Sequence, residues 1–478
     1  MKLHLKNYFN LKTLLLLSPV FLFIIIRYLI GFNGLYGQDS HEYYRYSRAI
    51  IDFFKTGNSP GDYFWPIYYP AFGAVLGLFI DNLFSLQLIS FLSLSGCLYF
   101  LLKIIDNIYI EKNYSVIYLL ITFLFAPYVF RNSIVVMSDL LTVFFITSSF
   151  FFFLGYINKN GANQFIFFTV FSLLAVLTRY AAAVVVIVPS IIIFYEIIRK
   201  KNFSHIIIGI VIATLLIIPH ILIRKSNSTE FLGHEWLQKW SLLNFIKRDF
   251  VTPDGTEHFR FPNILNSFST IFFPTYLIFG IVLVFFLQKK IFNNKLWLIS
   301  LSVILIYALF LSGIPYQNQR FFLLSYPFVV IILYPAFERM MSYLQNKKGL
   351  KYLIIAFMLV VQLFFCLYFF KSAYDRNILE KEISGYVMNS GYQNVYAFDI
   401  DVSFSSYGVD KNVFNLWKEK YNDFKTGSVV IFNEDKFRNQ WAGKNPMLNW
   451  IELKTNYNLI EMKDFGNGWK AYEIHPVR

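Results

Sequence analysis

The sequence predicts a mainly α, polytopic membrane helical bundle of about 11 spans with a small C-terminal extracytoplasmic α/β domain. Three observations predict it. Hydrophobic residues fill 56% of the 478 positions and charged residues 15%, with a mean hydropathy of +0.49; soluble proteins carry about 45–50% and about 25%. The apolar residues recur in long blocks, which a water-soluble core does not need. Late in the chain the blocks stop, charges, Asn and Gly become frequent, and apolar runs shrink to strand length. The expected division is a transmembrane domain, 1–371, and a soluble extracytoplasmic α/β domain, 372–478. Disorder, fibres, a disulfide scaffold and a wholly soluble enzyme do not fit this composition.

A spanning helix needs about 20 mostly apolar residues. The candidates are 13–31, 84–102, 115–130, 139–156, 163–178, 181–198, 204–222, 265–287, 296–313, 321–337 and 352–370. The first follows Lys2, Lys6 and Lys12 as a signal peptide would. Its length and the poor cleavage site at Gly31-Phe32-Asn33-Gly34 predict an uncleaved span. Segment 66–82 is not counted: the run from Ala71 to Ile80 is short and Pro66 and Pro70 break its start, so a re-entrant or surface-lying helix is expected.

Charge tests that omission. Without it, one side receives Lys2, Lys6, Lys12, Lys103, Lys112, Lys159, Arg199, Lys200, Lys201, Lys289, Lys290, Lys295, Arg339, Lys347, Lys348 and Lys351. The short loops opposite receive only Arg131, Arg179 and Arg320. By the positive-inside rule the first side is cytoplasmic, N-terminus included, and a twelfth span at 66–82 would collapse the bias. The net charge of +14 therefore reads as topology; no short block is dense enough in Lys and Arg to predict nucleic-acid binding. Cys97 and Cys366 fall inside apolar blocks and read as packing residues.

The frame puts a first loop at 32–83, a loop at 223–264, a short loop near 314–320 and the tail from about 372 on the outer side. In the tail, Val395–Phe398, Val429–Phe432, Leu459–Met462 and Trp469–Ile474 read as strands, and Ile378–Met388 and Glu434–Trp441 as helices. In the first loop, Tyr43, Tyr46, Ile50, Phe53 and Phe54 recur at helical spacing opposite Glu42, Arg45, Arg48, Asp52 and Lys55, and Gly57 ends the run. This is an amphipathic helix expected to lie in the membrane interface.

Asp39 is expected just before the first turn of that helix and Asp139 at the outer start of a span. Either alone reads as an N-cap or a carboxylate at the positive end of a helix dipole. Arg179 in a tight turn and Arg320 at the start of a span each read alone as snorkelling to lipid headgroups. Arg27 reads the same way. Together, two acids and two arginines on one membrane face suggest a site, because Arg can hold a phosphate at a fixed angle. His234, Glu235, Asp249, Asp254, Glu257 and His258 could bind a metal but lack the spacing of a recognised site, so the metal is left open.

These residues carry a family resemblance. A long first outer loop with an acid at the head of an interfacial helix resembles the GT-C superfamily of membrane glycosyltransferases, nearest the branch of protein O-mannosyltransferases and lipid A aminoarabinose transferases. The motifs are Gln38-Asp39-Ser40-His41-Glu42-Tyr43-Tyr44, Pro66-Ile67-Tyr68-Tyr69-Pro70, Ser138-Asp139-Leu140-Leu141, Leu177-Thr178-Arg179, and Gln319-Arg320-Phe321 running to Tyr326-Pro327. The family often has His-Pro-Pro where this chain has Tyr68-Tyr69-Pro70, and the Trp-Trp-Asp of oligosaccharyltransferases is missing.

The resemblance implies transfer of a sugar from a polyprenyl-phosphate carrier to a lipid, glycan or protein acceptor at the outer face, with inversion. It implies catalytic roles for Asp39, as general base, and Asp139, and substrate binding by Glu42, Tyr43, Tyr69, Arg179 and Arg320. No cofactor is required by it, although a divalent cation stays open. The excess of Phe, Ile, Asn and Lys over Ala hints at an AT-rich bacterial genome, hence the bacterial inner membrane and undecaprenyl phosphate as carrier. A secondary transporter and a non-catalytic scaffold with an outer binding domain are the alternatives. The first is disfavoured by the absence of a sequence repeat and by polar residues gathered at one surface.

Overall fold

The computed structural model describes residues 2–224, 235–252 and 255–477. Among the described residues, seven helices are long and apolar enough to cross a membrane: Leu11–Leu29, Asn82–Ile108, Asp139–Lys159, Ala182–Lys200, Ser204–Ile223, Lys295–Gly313 and Lys348–Asn389. An eighth candidate is a pair, Ser115–Leu124 and Pro127–Ile134, bent by 68°. Proline explains the bend, since Pro127 cannot continue the hydrogen-bond ladder of the first half. Of the other expected spans, 163–178 is the helix Ala162–Thr178, and 321–337 is a 3-10 turn, Gln319–Leu324, leading into Tyr326–Tyr343.

The expected span at 265–287 runs from Asn263, bonded to the Ile314 carbonyl, to Phe286, bonded by Arg339, but it is not one continuous helix. It is a helix Asn263–Ser269, a 3-10 turn Thr270–Phe272 and a short helix Gly280–Val284, with Phe273 extended between them. Phe273 precedes Pro274, and the residue before a proline is pushed out of the helical region. Segment 66–82 holds a ten-residue helix, Tyr68–Gly77. At about 1.5 Å per residue it is roughly half the length of a bilayer core.

The amphipathic helix runs Gly37–Thr56 and ends on Gly57 at φ 75°, its N–H bonded to the Phe53 carbonyl at 2.9 Å. The first part of its apolar stripe packs on protein, while Phe54 at its end stays 49% exposed. Tyr43, Tyr46 and Ile50 are buried in protein, with Ser40, His41 and Ser47 beside them, and Tyr46 stacks on Tyr63 at 3.8 Å. The stripe found a protein partner because residues 58–77 fold back over it; Ser47 bonds Asn82 at 2.8 Å and Tyr43 meets Tyr69 edge-on at 5.0 Å.

The helix Lys348–Asn389 is 42 residues long, about 63 Å and twice the roughly 30 Å of a hydrocarbon core. Met358, Cys366 and Ala373 join the core of the helical bundle, whereas Ile383 and Val387 join a separate core in the C-terminal region. That region holds a five-stranded sheet. In chain order, after a small hairpin of β1 (Asp249–Thr252) and β2 (Gly255–His258), its strands are β3 (Asn394–Ala397), β4 (Asn412–Asn415), β5 (Val429–Phe432), β6 (Tyr457–Gly466) and β7 (Trp469–Pro476). The sheet order is β4-β3-β5-β7-β6, with β3 parallel to both neighbours and β7 antiparallel to both of its own.

Strand β5 coincides with its expected range and β3 is shifted by one residue. Strands β6 and β7 run longer than expected because Asn467 and Gly468, at φ 52° and 80°, close a two-residue hairpin turn, with register shifts in β6 between Glu461 and Lys463 and between Asp464 and Gly466. The expected helix Ile378–Met388 is the end of the long helix, and Glu434–Trp441 shortens to Glu434–Phe437. Strand β4 and the helix Asn445–Asn456 were not expected.

In this region burial raises the Asp401 carboxyl to about 6, against a bond donated by Asn415 at 2.6 Å. A carboxyl whose folded pKa lies above its unfolded value costs stability as pH rises between the two values. Asp401→Asn should therefore raise the melting temperature of the detergent-solubilised protein by a few degrees at about pH 8 and hardly change it at about pH 4. Equal effects at both would refute this.

Candidate active site

Four of the expected residues meet at one end of the bundle as two ion pairs. Asp39 lies in the first turn of helix 37–56 and its Oδ2 pairs with Arg320 Nη2. Asp139 opens helix 139–159 and its Oδ1 pairs with Arg179 Nη1. The N-cap reading is overturned for both acids, although each stands in the first turn of its helix, at the positive end of the dipole. Tyr36 and Ser138 occupy the cap positions and neither makes a side-chain cap, so the carboxylates are engaged elsewhere. Both arginines turn inward onto acids, not outward to headgroups; Arg179 is 17% exposed and Asp139 1%. Arg27 also turns inward, bonding the Asn33 carbonyl at 3.2 Å and Gln87 at 3.3 Å.

The two pairs form one cluster. The Phe321 ring lies 5.4 Å from the Arg179 guanidinium and 6.0 Å from that of Arg320. Tyr43 feels Asp39, Arg179 and Asp139 together, and its phenol, bonded to Ser138 Oγ at 2.7 Å, is pushed up by burial and by Asp39. For Arg320, burial favours the neutral form, but Asp39 and Asp139 outweigh it and hold the guanidinium above its usual value. The site is electrostatically tight.

The remaining expected residues differ in position. Tyr69 is fully buried, its hydroxyl 3.0 Å from the Leu86 carbonyl and from Ser90 Oγ, so it backs Tyr43 and offers no polar atom to a ligand. Glu42 binds Arg45 Nε at 2.6 Å one turn along its own helix. Among the described residues no three His, Cys, Asp or Glu side chains group closely enough to hold a metal ion. His234 and Asp254 of the open metal reading lie outside the described residues, and His258 pairs with Asp249 at an exposed hairpin.

Arg320 also lines a cavity of about 240 Å³ with Tyr36, Tyr128, Arg131, Asn132, Val135, Met137 and Asn318. Arg131 lies over the Tyr36 ring at 4.6 Å and the Tyr128 ring at 5.2 Å. Arg320 Nη1 touches only Met137 Sδ, at 3.4 Å, and its Nε has no acceptor. Asp139 Oδ2 has no donor. With Arg131 counted, three guanidiniums face two carboxylates, so the cluster has spare positive charge and unspent N–H donors. Such a pocket suits an anion with several oxygens. Arg131 was missed as a site residue, although it is one of the three cations named on the sparsely charged face.

No protein-family model and no curated protein matches this chain. Solved structures do. ArnT from Cupriavidus metallidurans, bound to undecaprenyl phosphate, superposes with a TM-score of 0.56 over 95% of this chain and 98% of its own, at 11% identity. Its apo state gives 0.58 over 95% and 97%, also at 11%. The Archaeoglobus fulgidus oligosaccharyltransferase, in complex with Zn and sulfate, gives 0.53 over 97% of this chain and 73% of its own, at 12%. The chain has the GT-C fold. Coverage of nearly the whole chain means that the GT-C likeness extends through the C-terminal region.

Removing one partner of a buried pair strands the other charge, at a cost of about 3–5 kcal/mol. Arg179→Ala should therefore lower the melting temperature in detergent markedly. Arg179→Ala combined with Asp139→Leu should recover part of the loss. A single variant as stable as the parent would show that the pair does not form.

Proposed function

We propose that this chain is a glycosyltransferase that moves a sugar from a polyprenyl-phosphate carrier to an acceptor hydroxyl at the outer face of the membrane. The observation that carries the reading is Arg320, which lines a cationic cavity and pairs with Asp39 behind it. The GT-C fold supports it, and among solved structures with this fold ArnT is one bound to undecaprenyl phosphate.

The chemistry follows from the free valences of the site. The isoprenoid tail stays in the bilayer, so the carrier phosphate reaches protein at the membrane boundary. Arg320 and Arg131 meet it from the cavity wall while Arg320 Nη2 keeps Asp39, and Arg179 adds charge behind them. The acceptor oxygen attacks the anomeric carbon as the bond from that carbon to the phosphate oxygen breaks, with inversion. Asp39 takes the hydroxyl proton, and the polyprenyl phosphate leaves with its negative charge met by guanidiniums in a partly desolvated cleft. Phosphate is a good leaving group, so the second carboxylate of a glycosidase is not needed. Asp139 orients Arg179 from inside the bundle.

The charge distribution supports a cytoplasmic N-terminus, which puts the cluster on the outer side. Undecaprenyl phosphate is the carrier that the bacterial composition favours. The sidedness is testable with single cysteines, because native Cys97 and Cys366 are buried. Asn58→Cys should react with an impermeant maleimide in intact cells, and Lys159→Cys only after permeabilisation. The opposite labelling pattern would put the site on the wrong face.

Purified protein incubated with a panel of radiolabelled undecaprenyl-phosphate sugars should move label to one acceptor class. Asp39→Asn should cut transfer by about 100-fold or more while leaving membrane insertion intact; transfer at the parent rate would remove Asp39 from the role of base. Arg320→Ala should raise the carrier concentration needed for half-maximal rate more than that of the acceptor.

A further inference from the structure

The start of the Asp39 helix is held from behind. Glu380, fully buried on helix 348–389, divides its oxygens between three donors. Oε1 accepts from the Gly37 backbone N–H at 3.2 Å and from Arg376 Nε at 2.7 Å; Oε2 lies 2.9 Å from His41 Nε2. His41 is itself 2% exposed, and its Nδ1 lies 2.9 Å from Ser406 Oγ. One residue beyond Arg376, Asn377 donates to Asn33 Oδ1 and to the Leu35 carbonyl, both at 2.9 Å. A single turn and a half of one helix thus grips residues 33–41.

The grip is directional. Residues 39 and 41 are two apart, which on a helix at about 100° per residue puts them on nearly opposite faces. Asp39 looks toward Arg320 and His41 toward Glu380, so the Glu380 contact sets the rotation of the first turn. Arg376 carries the chain of contacts onward, bonding Asp399 Oδ2 at 3.1 Å and the Asp399 carbonyl at 3.0 Å with its guanidinium 5.5 Å from the Trp469 ring of β7. Lys436 closes on the same Asp399. Apolar residues of similar volume would hold two elements together at least as well as a buried ion pair. What a carboxylate adds is fixed direction.

We infer that Glu380 is a positioning residue, which through His41 and the Gly37 amide aims Asp39 at Arg320, so that the C-terminal region governs the rate of transfer without touching substrate. The inference rests on the reading of Asp39 as base. A misplacement of about 1 Å at a reacting group can cost on the order of 100-fold in rate.

The test uses full-length protein in nanodiscs with two readouts. Hydrogen exchange of the amides of residues 37–43 reports the grip directly; transfer kinetics with undecaprenyl-phosphate sugar report its use. Glu380→Gln and His41→Phe should speed exchange there and lower kcat by about 10- to 100-fold, with carrier KM changed less than about twofold. His41→Gln, whose amide nitrogen reaches the place of His41 Nε2 and restores a donor to Glu380, should recover most of both. Unchanged exchange in both disruptive variants overturns the proposal whatever the activity, and so does faster exchange with parental kcat. If Glu380→Gln does not fold, Glu380→Asp and His41→Phe carry the same two readouts. Should the parent transfer no sugar from any donor, the reading of function fails, and exchange alone then judges the grip.

Discussion

Charged groups at the rim of an apolar bundle must be paired or reach water, and the site is built on that constraint. Asp139 is nearly inaccessible, so Arg179 must meet it; Asp39 and Arg320 meet at the next position along the same rim. Neither pair is saturated. One carboxylate oxygen of Asp139 and the Nε of Arg320 have no partner, and Arg131 adds a third guanidinium beside the cavity. Desolvation makes such unspent valences costly.

Aromatic rings hold these charges in place. Phe321 lies between the two guanidiniums, Tyr43 bridges toward Ser138, and Tyr69 is locked behind Tyr43 with its hydroxyl satisfied inside the bundle. Helix 37–56 looks on paper like a membrane-surface element, and its burial under residues 58–77 makes it a rigid support. The long helix 348–389 adds a second support by entering both cores, so that strands far along the chain brace a turn near its start.

Much was legible from residue order. The blocks of apolar residues, the short helix after Pro66 and the strand character of Val429–Phe432 needed only local physics. The pairing of particular residues was not legible. An acid at a helix start is the same local pattern whether it caps its own helix, as Asp81 does by accepting from the Phe84 amide, or reaches across the bundle, as Asp39 does. The break at Phe273-Pro274 was written in the chain, but apolarity averaged over the window hid it. Glu380 and Arg131 lacked any motif, and His41 stood inside one with no role assigned to it.

The sequence by itself determined the class of molecule: a membrane helical bundle with an α/β end and a sparsely charged face, because hydropathy, proline and strand periodicity act within a few residues. Only the tertiary structure decided that residue 39 faces 320, that 139 faces 179, and that 380 grips 37 and 41. Those contacts join residues 40 to 343 positions apart, and at such separations the choice of partner depends on how the helices pack.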